Sequence, residues 1–253
     1  MAKQQLTIGW LYPDLMSTYG DHGNIITLEK RCQWRGIETK VLSLSVESNP
    51  KDLAKSDLVF MGGAQDRQQK IVSDDFRHGK AKVLAEMIED NIPGLYICGA
   101  YQFLGNYYKE ADGTIIKGLG ILDVHTENPG LKIPRLIGNI VATTEFLDKN
   151  TTIIGFENHG GRTFLGDKVR PLACVSKGFG NNGKDGSEGA IYKNSLGSYM
   201  HGPILPKNPV IADWLIQRAL EKKYDQSFKL DELDDTLEYK AHTAIARRLV
   251  RGI

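Results

Sequence analysis

Strand-like and helix-like runs alternate through the first hundred residues, and no other feature of the chain constrains its fold as tightly. Thr7 to Leu11 reads as a short apolar strand. Asp21 to Arg35 reads as a helix with Ile25, Ile26, Leu28 and Cys32 at its apolar positions. Gly36 closes it, as glycine beyond a helix C-terminus does. Thr39 to Leu44 is a second strand, and Leu58-Val59-Phe60-Met61 a third, running into Gly62-Gly63. Between Gly79 and Asp90 the pairs Val83/Met87 and Leu84/Ile88 share one face of an amphipathic helix. Pro93-Gly94 breaks that helix, a strand ending at Cys98 follows, and Ala100 to Tyr107 turns helical again. Repeated βα units of this length predict an α/β fold, a mostly parallel sheet with helices on both faces. Functional groups in such sheets gather just beyond the strand C-terminal ends. Gly62-Gly63 and Cys98-Gly99 both fall there.

The middle of the chain changes character. From Gly113 to Tyr192, short β-rich segments (Ile133 to Phe146, Thr151 to Phe156, Val169 to Val175) alternate with glycine-rich turns, which predicts an antiparallel portion. Gly178 to Gly183 is the loosest turn and reads as a mobile surface loop. Ser195 to His201 resumes as a strand, and Pro209 to Lys223 as a helix. These elements place residues 1–225 in one domain and leave 226–253 as a helical tail. Asp231 to Arg251 is acidic in its first half and basic in its second. It reads as a solvated helix with intrahelical ion pairs, or as a docking element for a partner.

Composition removes whole classes of function. With 32 basic and 31 acidic residues among 253, the net charge of +1 gives no bias toward nucleic acid or membrane. No stretch approaches the ~20 apolar residues of a membrane span, and the N-terminus lacks the pattern of a signal peptide. Three isolated cysteines, Cys32, Cys98 and Cys174, argue against a disulfide framework or a zinc site and for a reducing compartment. The expectation is a cytoplasmic protein. No G-x-x-x-x-G-K-[ST] occurs, and the G-x-G-x-x-G spacing of Gly178 to Gly183, read as a surface turn, is not taken as a nucleotide site.

Cys98 is the residue that could carry chemistry. A thiol at a strand-to-helix turn is stabilised as thiolate by the helix N-terminus, although a cysteine there can equally be a packed small hydrophobe. A nucleophile also needs a base and oxyanion donors. His201 is the best candidate base, because Gly202-Pro203 ends its strand and can aim the imidazole outward. His159, in Phe156-Glu157-Asn158-His159-Gly160-Gly161, is its rival. The other four histidines have no neighbouring chemistry. The Gly99 N–H and an N–H of the Gly62-Gly63-Ala64 turn could hold an oxyanion. A Cys/His acyl-transfer site on an α/β sheet follows, with its substrate unnamed.

Cys98-Gly99-Ala100-Tyr101-Gln102 after a strand, with a distant histidine closing a late strand, resembles the class I, triad-type glutamine amidotransferases, which implies a flavodoxin-like sheet. Four blocks narrow the resemblance: Met16 to Asn24, Gly62 to Asp66, Phe156 to Thr163, and Gly197 to Pro203. Together they look like the glutaminase subunits of the bacterial lipid II isoglutaminyl synthases, akin to the amidotransferase domains of cobyric acid synthases. The resemblance implies that Cys98 attacks the glutamine amide, with His201 as base and acid and with Gly63 and Gly99 as oxyanion donors. It implies further that Gln102, Asn158, His159, Gly160 and Arg135 bind substrate. L-Glutamine is then the substrate, and the partner is a MurT-like Mur-ligase subunit in a heterodimer. ATP and any metal would belong to that partner, so this chain needs no cofactor. The departure from the family is the acid: Gly202 and Pro203 stand where many relatives carry His-x-Glu. Either the site works as a dyad or a partner residue completes it. Two other readings keep the fold, a stand-alone Cys/His hydrolase and a binding module with an inert thiol.

Overall fold

Burial on both faces decides which apolar runs become inner strands. In the computed structural model, which describes residues 3–64, 66–147 and 151–251, β3 (Leu58–Met61) and β4 (Gly94–Ile97) are buried at every position. That is why they read as unbroken apolar runs rather than as alternation. They sit at the centre of a six-stranded sheet between β1 (Gln5–Leu11) with β2 (Glu38–Leu44) on one side and β14 (Ser195–Ser198) with β13 (Ala190–Tyr192) on the other. All neighbours pair parallel except β13 and β14. Helices α1 (His22–Trp34), α2 (Pro50–Leu53), α3 (Asp66–Asp75), α4 (Ala81–Glu89) and α5 (Gly99–Leu104) connect the first strands. One apolar core gathers Leu6, Ile8, Leu28, Phe60, Ile97 and Leu215, and the other Leu11, Val59, Met61, Tyr96, Phe103 and Tyr199. The alternation of side chains along β1 feeds both.

The β-rich middle forms two four-stranded sheets. One holds β5 (Tyr107–Lys109), β6 (Ile115–Lys117), β7 (Val124–Glu127) and β10 (Arg162–Leu165). The other holds β8 (Leu136–Thr144), β9 (Thr151–His159), β11 (Ala173–Lys177) and β12 (Ser187–Glu188). Pairing is antiparallel throughout except between β5 and β7. The expected loose loop at 178–183 is a correction. The buried Glu157 carboxylate accepts N–H bonds from Phe179 at 2.7 Å and Gly180 at 2.8 Å, and Asn181 and Asn182 are buried. Glycine supplies the turn, and a carboxylate on β9 pins it.

The tail also differs from expectation. Arg31 of α1, fully buried, is bidentate to Asp213 at 2.6 and 2.7 Å and to Asp235 at 2.6 and 2.8 Å. Asp213 lies on α6 (Pro209–Tyr224), and Asp235 immediately precedes α7 (Thr236–Arg251). Planar bidentate pairing suits guanidinium and carboxylate, and here one arginine fastens two segments. α7 lies against β8, β9 and β11, and His242 donates from Nδ1 to the Lys207 carbonyl at 2.9 Å. The charged anchor of the tail is therefore long-range rather than intrahelical. Residues 252–253, the end of that expected tail, lie outside the described residues, as does Gln65.

Candidate active site

Strands β3, β4 and β14 end side by side, and the groups of interest stand on the turns that follow. Cys98 comes directly after β4 with φ 51° and ψ −101°, a backbone that costs a non-glycine residue about 1–3 kcal/mol. Two tethers hold it. The Cys98 N–H donates to the Ser198 carbonyl at 2.8 Å, extending the β4–β14 ladder, and the Cys98 carbonyl accepts from the Gln102 N–H at 2.9 Å in the first turn of α5. The resulting elbow leaves the thiol half-buried, whereas Cys32 is fully buried and its thiol is pushed up to about 12 by that burial. Cys174 is exposed on β11.

His201 arrives from the other side. Its backbone bridges to β9, donating N–H to the Phe156 carbonyl at 2.7 Å and accepting from the Phe156 N–H at 3.3 Å. Its Nδ1 lies 3.2 Å from Oδ1 of Asp21, a fully buried carboxylate one residue before α1. The second oxygen, Oδ2, accepts the Gly63 N–H at 2.8 Å. Burial alone would lower the imidazolium, but the Cys98 charge and Asp21 outweigh it and raise His201 to about 10. Close approach explains the glycines after β3. A Cβ on Gly62 would sit 2.4 Å from the Met16 carbonyl oxygen. One on Gly63 would lie 2.6 Å from His201 Cε1, 3.3 Å from Cys98 Cβ and 3.4 Å from Asp21 Oδ2. Thiol, imidazole and carboxylate thus converge on one glycine.

A polar lip surrounds this centre. Arg135, exposed, donates from Nε to Asn158 Oδ1 and from Nη2 to the Asn158 carbonyl, both at 2.9 Å. Asn158 Nδ2 donates to the Tyr19 hydroxyl at 2.6 Å, and the Tyr19 ring meets His201 edge-on at 5.1 Å between centroids. The β8–β9 register, with Leu136 opposite His159, sets Arg135 opposite Gly160. A Cβ on Gly160 would lie 3.3 Å from Arg135 Nη1. Among the described residues no group of three His, Cys, Asp or Glu side chains could hold a metal ion.

Comparison with known proteins decides the family. The model of the CobB/CobQ-like glutamine amidotransferase domain matches residues 7–209. The chain belongs to this family. It is 43% identical over 247 residues to the lipid II isoglutaminyl synthase (glutamine-hydrolyzing) subunit GatD of Staphylococcus aureus, covering 98% of this chain and 97% of the relative. The subunit of the same name in Streptococcus pneumoniae is 42% identical over 92% of this chain and 87% of the relative. In fold, a crystal structure of a glutamine amidotransferase at 16% identity gives a TM-score of 0.58 over 84% of this chain and 98% of that one. The protein is therefore a glutamine amidotransferase, and the mostly parallel α/β sheet expected from the βα alternation is the family's fold.

Within this amidotransferase the structure sorts the expected site residues. Cys98 and His201 come together, and Arg135, Asn158 and Gly160 form the lip beside them. Gly99 opens α5, so its N–H has no intrahelical acceptor. Gly63 is a correction, because its N–H is already taken by Asp21; the next N–H along, that of Ala64, lies 3.0 Å from the Cβ position of Gly99. His159 is a second correction. It is buried, stacked on Tyr199 at 3.6 Å, and bonded through Nδ1 to the Gly161 carbonyl at 2.7 Å, and burial keeps its imidazolium below the ordinary range. That ring belongs to the wall behind the site. Gln102 lies in the same wall, donating to the Tyr199 hydroxyl at 3.1 Å and accepting from Gln69 at 3.3 Å. Where the acid after His201 is missing, Asp21 stands at Nδ1 from within the chain, a third arrangement beside the expected dyad and partner residue. Sequence reasoning passed over Asp21, although it stands inside the quoted block from Met16 to Asn24. It also passed over Gln69, whose amide lies 2.9 Å from the Gly99 Cβ position.

Proposed function

We propose that this chain is the glutamine-hydrolysing subunit of a lipid II isoglutaminyl synthase. In this reading it releases ammonia from L-glutamine through a Cys98 thioester and passes it to a MurT-like, ATP-dependent Mur-ligase subunit. That partner, which would carry ATP and any metal, amidates the D-glutamate α-carboxyl of the lipid II stem peptide. The observation that carries the reading is the convergence of Cys98, His201 and Asp21 on Gly63, in a chain similar over nearly its whole length to a subunit bearing that name.

The Cys98 thiolate attacks the side-chain amide carbon of glutamine, forming a C–S bond as the carbonyl electrons move onto oxygen. The N–H groups of Gly99 and Ala64 stabilise that oxyanion. The C–N bond then breaks while the His201 imidazolium gives its proton to the departing nitrogen, so ammonia leaves as a neutral molecule. Neutral His201 next takes a proton from water, the hydroxide adds to the thioester, and the C–S bond breaks to return glutamate and thiolate. Asp21 acts as a positioning residue, keeping Nδ1 protonated and Nε2 turned toward Cys98. Tyr199, whose hydroxyl is held neutral by burial and by the Cys98 charge, braces the wall. At the lip, Arg135 and Asn158 receive the amino-acid end of glutamine, the carboxylate on the guanidinium. Ammonia is mostly protonated in neutral water, so passing it directly to the ligase keeps it nucleophilic.

Reconstitution with the ligase subunit tests the assignment. With glutamine as the sole nitrogen source, lipid II amidation followed by mass spectrometry should require both chains. Ammonia release without amidated lipid II, at a rate indifferent to the partner, would favour the stand-alone hydrolase instead. A pH profile tests the electrostatics. His201 is raised from an ordinary 6.5 to about 10, so the imidazolium persists across that interval and is lost only above it. The alkaline limb of kcat/KM for glutamine is therefore expected near pH 10. A limb near pH 6.5 would mean that His201 is unpaired in the free enzyme.

A further inference from the structure

Arg162, inside the block from Phe156 to Thr163, has no part in the chemistry described above, yet its side chain spans two segments of the lip. Nη1 donates to the Gly160 carbonyl at 2.7 Å and, at 3.4 Å, to that of Gly161, while Nη2 donates to the Pro134 carbonyl at 2.7 Å. Pro134 is the residue before Arg135, and Gly160 is the residue whose Cβ position lies 3.3 Å from Arg135 Nη1. Two guanidinium groups therefore meet at one turn. Neither has a carboxylate partner among the described residues, and the Arg135 charge helps burial to lower the Arg162 guanidinium. Like charges at such a site stay together only when other bonds hold them or an anion bridges them. Arg162 spends its fork on carbonyls. Arg135 spends Nε and Nη2 on Asn158 and keeps Nη1 uncommitted.

We propose that Arg162 is a positioning residue for substrate selection, clamping the Pro134-Arg135 segment onto the Gly160-Gly161 turn so that Arg135 Nη1 is presented to the α-carboxylate of glutamine. The inference rests on the reading of Arg135 as the carboxylate contact. It follows from the geometry of the fork: a planar guanidinium can bond two carbonyls on different segments at once, and a lysine ammonium, a point charge on a flexible stem, cannot hold both in plane. Arg135 precedes β8 on an exposed stretch, so without the clamp only its bonds to Asn158 would fix it. Misplacing a substrate-holding group by about 1 Å can cost roughly a hundredfold.

Steady-state ammonia release by the complex should be compared for L-glutamine and for its α-amide, which lacks the carboxylate charge. The wild type is expected to prefer glutamine strongly in kcat/KM. Arg162→Lys and Arg162→Met should each lower kcat/KM for glutamine by about tenfold to a hundredfold, mostly through KM, and leave the α-amide nearly unchanged. Rescue of the preference by Arg162→Lys would overturn the clamp, since charge alone would then suffice. An equal loss on both substrates, with Cys98 alkylation by iodoacetamide slowed as well, would overturn it in favour of a merely structural role. Arg135→Met separates the two readings. If it leaves the preference intact, the assignment of Arg135 fails. If it abolishes the preference while the Arg162 variants do not, the assignment of Arg135 stands and the clamp fails.

Discussion

Replacing Cys98 by alanine is expected to abolish ammonia release from glutamine, by about 10⁴-fold or more, because no other group at the elbow can form the thioester. The loss should be confined to glutamine. The ligase subunit supplied with a high concentration of ammonium salt should still amidate lipid II in complex with Cys98→Ala, since the two chemistries reside on different chains in the proposed assembly. Measuring both nitrogen sources on the same preparation separates a missing nucleophile from a failed complex. Cys98→Ala retaining glutamine-dependent amidation would make Cys98 the inert thiol of the binding-module reading. Cys32 and Cys174 provide internal controls: Cys32 is buried with its thiol raised by burial, and Cys174 faces solvent away from the elbow.

Asp21→Asn is expected to lower kcat by about a hundredfold to 10⁴-fold with little change in KM. The carboxylate accepts at both oxygens, from His201 Nδ1 and from the Gly63 N–H. An asparagine amide can keep only one of these as acceptor. If its oxygen stays on Gly63, its NH₂ faces Nδ1 and selects the tautomer with the proton on Nε2, which cannot take a proton from Cys98. The same substitution removes the negative charge that helps hold His201 at about 10, so the alkaline limb of the pH profile should move toward neutrality. Full activity in Asp21→Asn with the partner bound would return the acid to the partner subunit. Loss in the isolated chain and in the complex alike places it here.

The half of the molecule built from local pattern was legible in the residues. Leu58-Val59-Phe60-Met61 and Leu95-Tyr96-Ile97 could be read as buried strands because nothing polar interrupts them. Pro93-Gly94 and Cys98-Gly99 marked where strands begin and end. α3 was not legible, because its sequence from Asp66 to Asp75 is polar apart from Ile71 and Val72 and offers little apolar periodicity. What escaped at the site escaped for one reason: it depends on contacts between distant segments. Asp21 and His201 are brought together by the order of strands in the sheet, and no spacing in the chain announces that. The glycines around His159 suggested a backbone close to a ligand, but Gly161 is tight because Thr126 Cγ2 lies 2.5 Å from its Cβ position. Gly178 to Gly183 looked loose because local turn signals cannot show the Glu157 carboxylate that binds it.

The position of β14 has a consequence for how the protein is made. β14 is inserted between β4 and β13 although the whole β-rich region separates it from β4 in the chain. It carries the Ser198 carbonyl that tethers the Cys98 elbow, and it leads directly to His201. While a ribosome is still synthesising the middle of the polypeptide, β4 has emerged but neither the tether nor the base has. During that interval Cys98 has neither the Ser198 carbonyl that tethers its N–H nor the His201 imidazole beside it. Such non-local pairing forms late and slowly. Completion of the sheet is thus what assembles the site, and a chain halted before β14 carries the cysteine without its tether or its histidine.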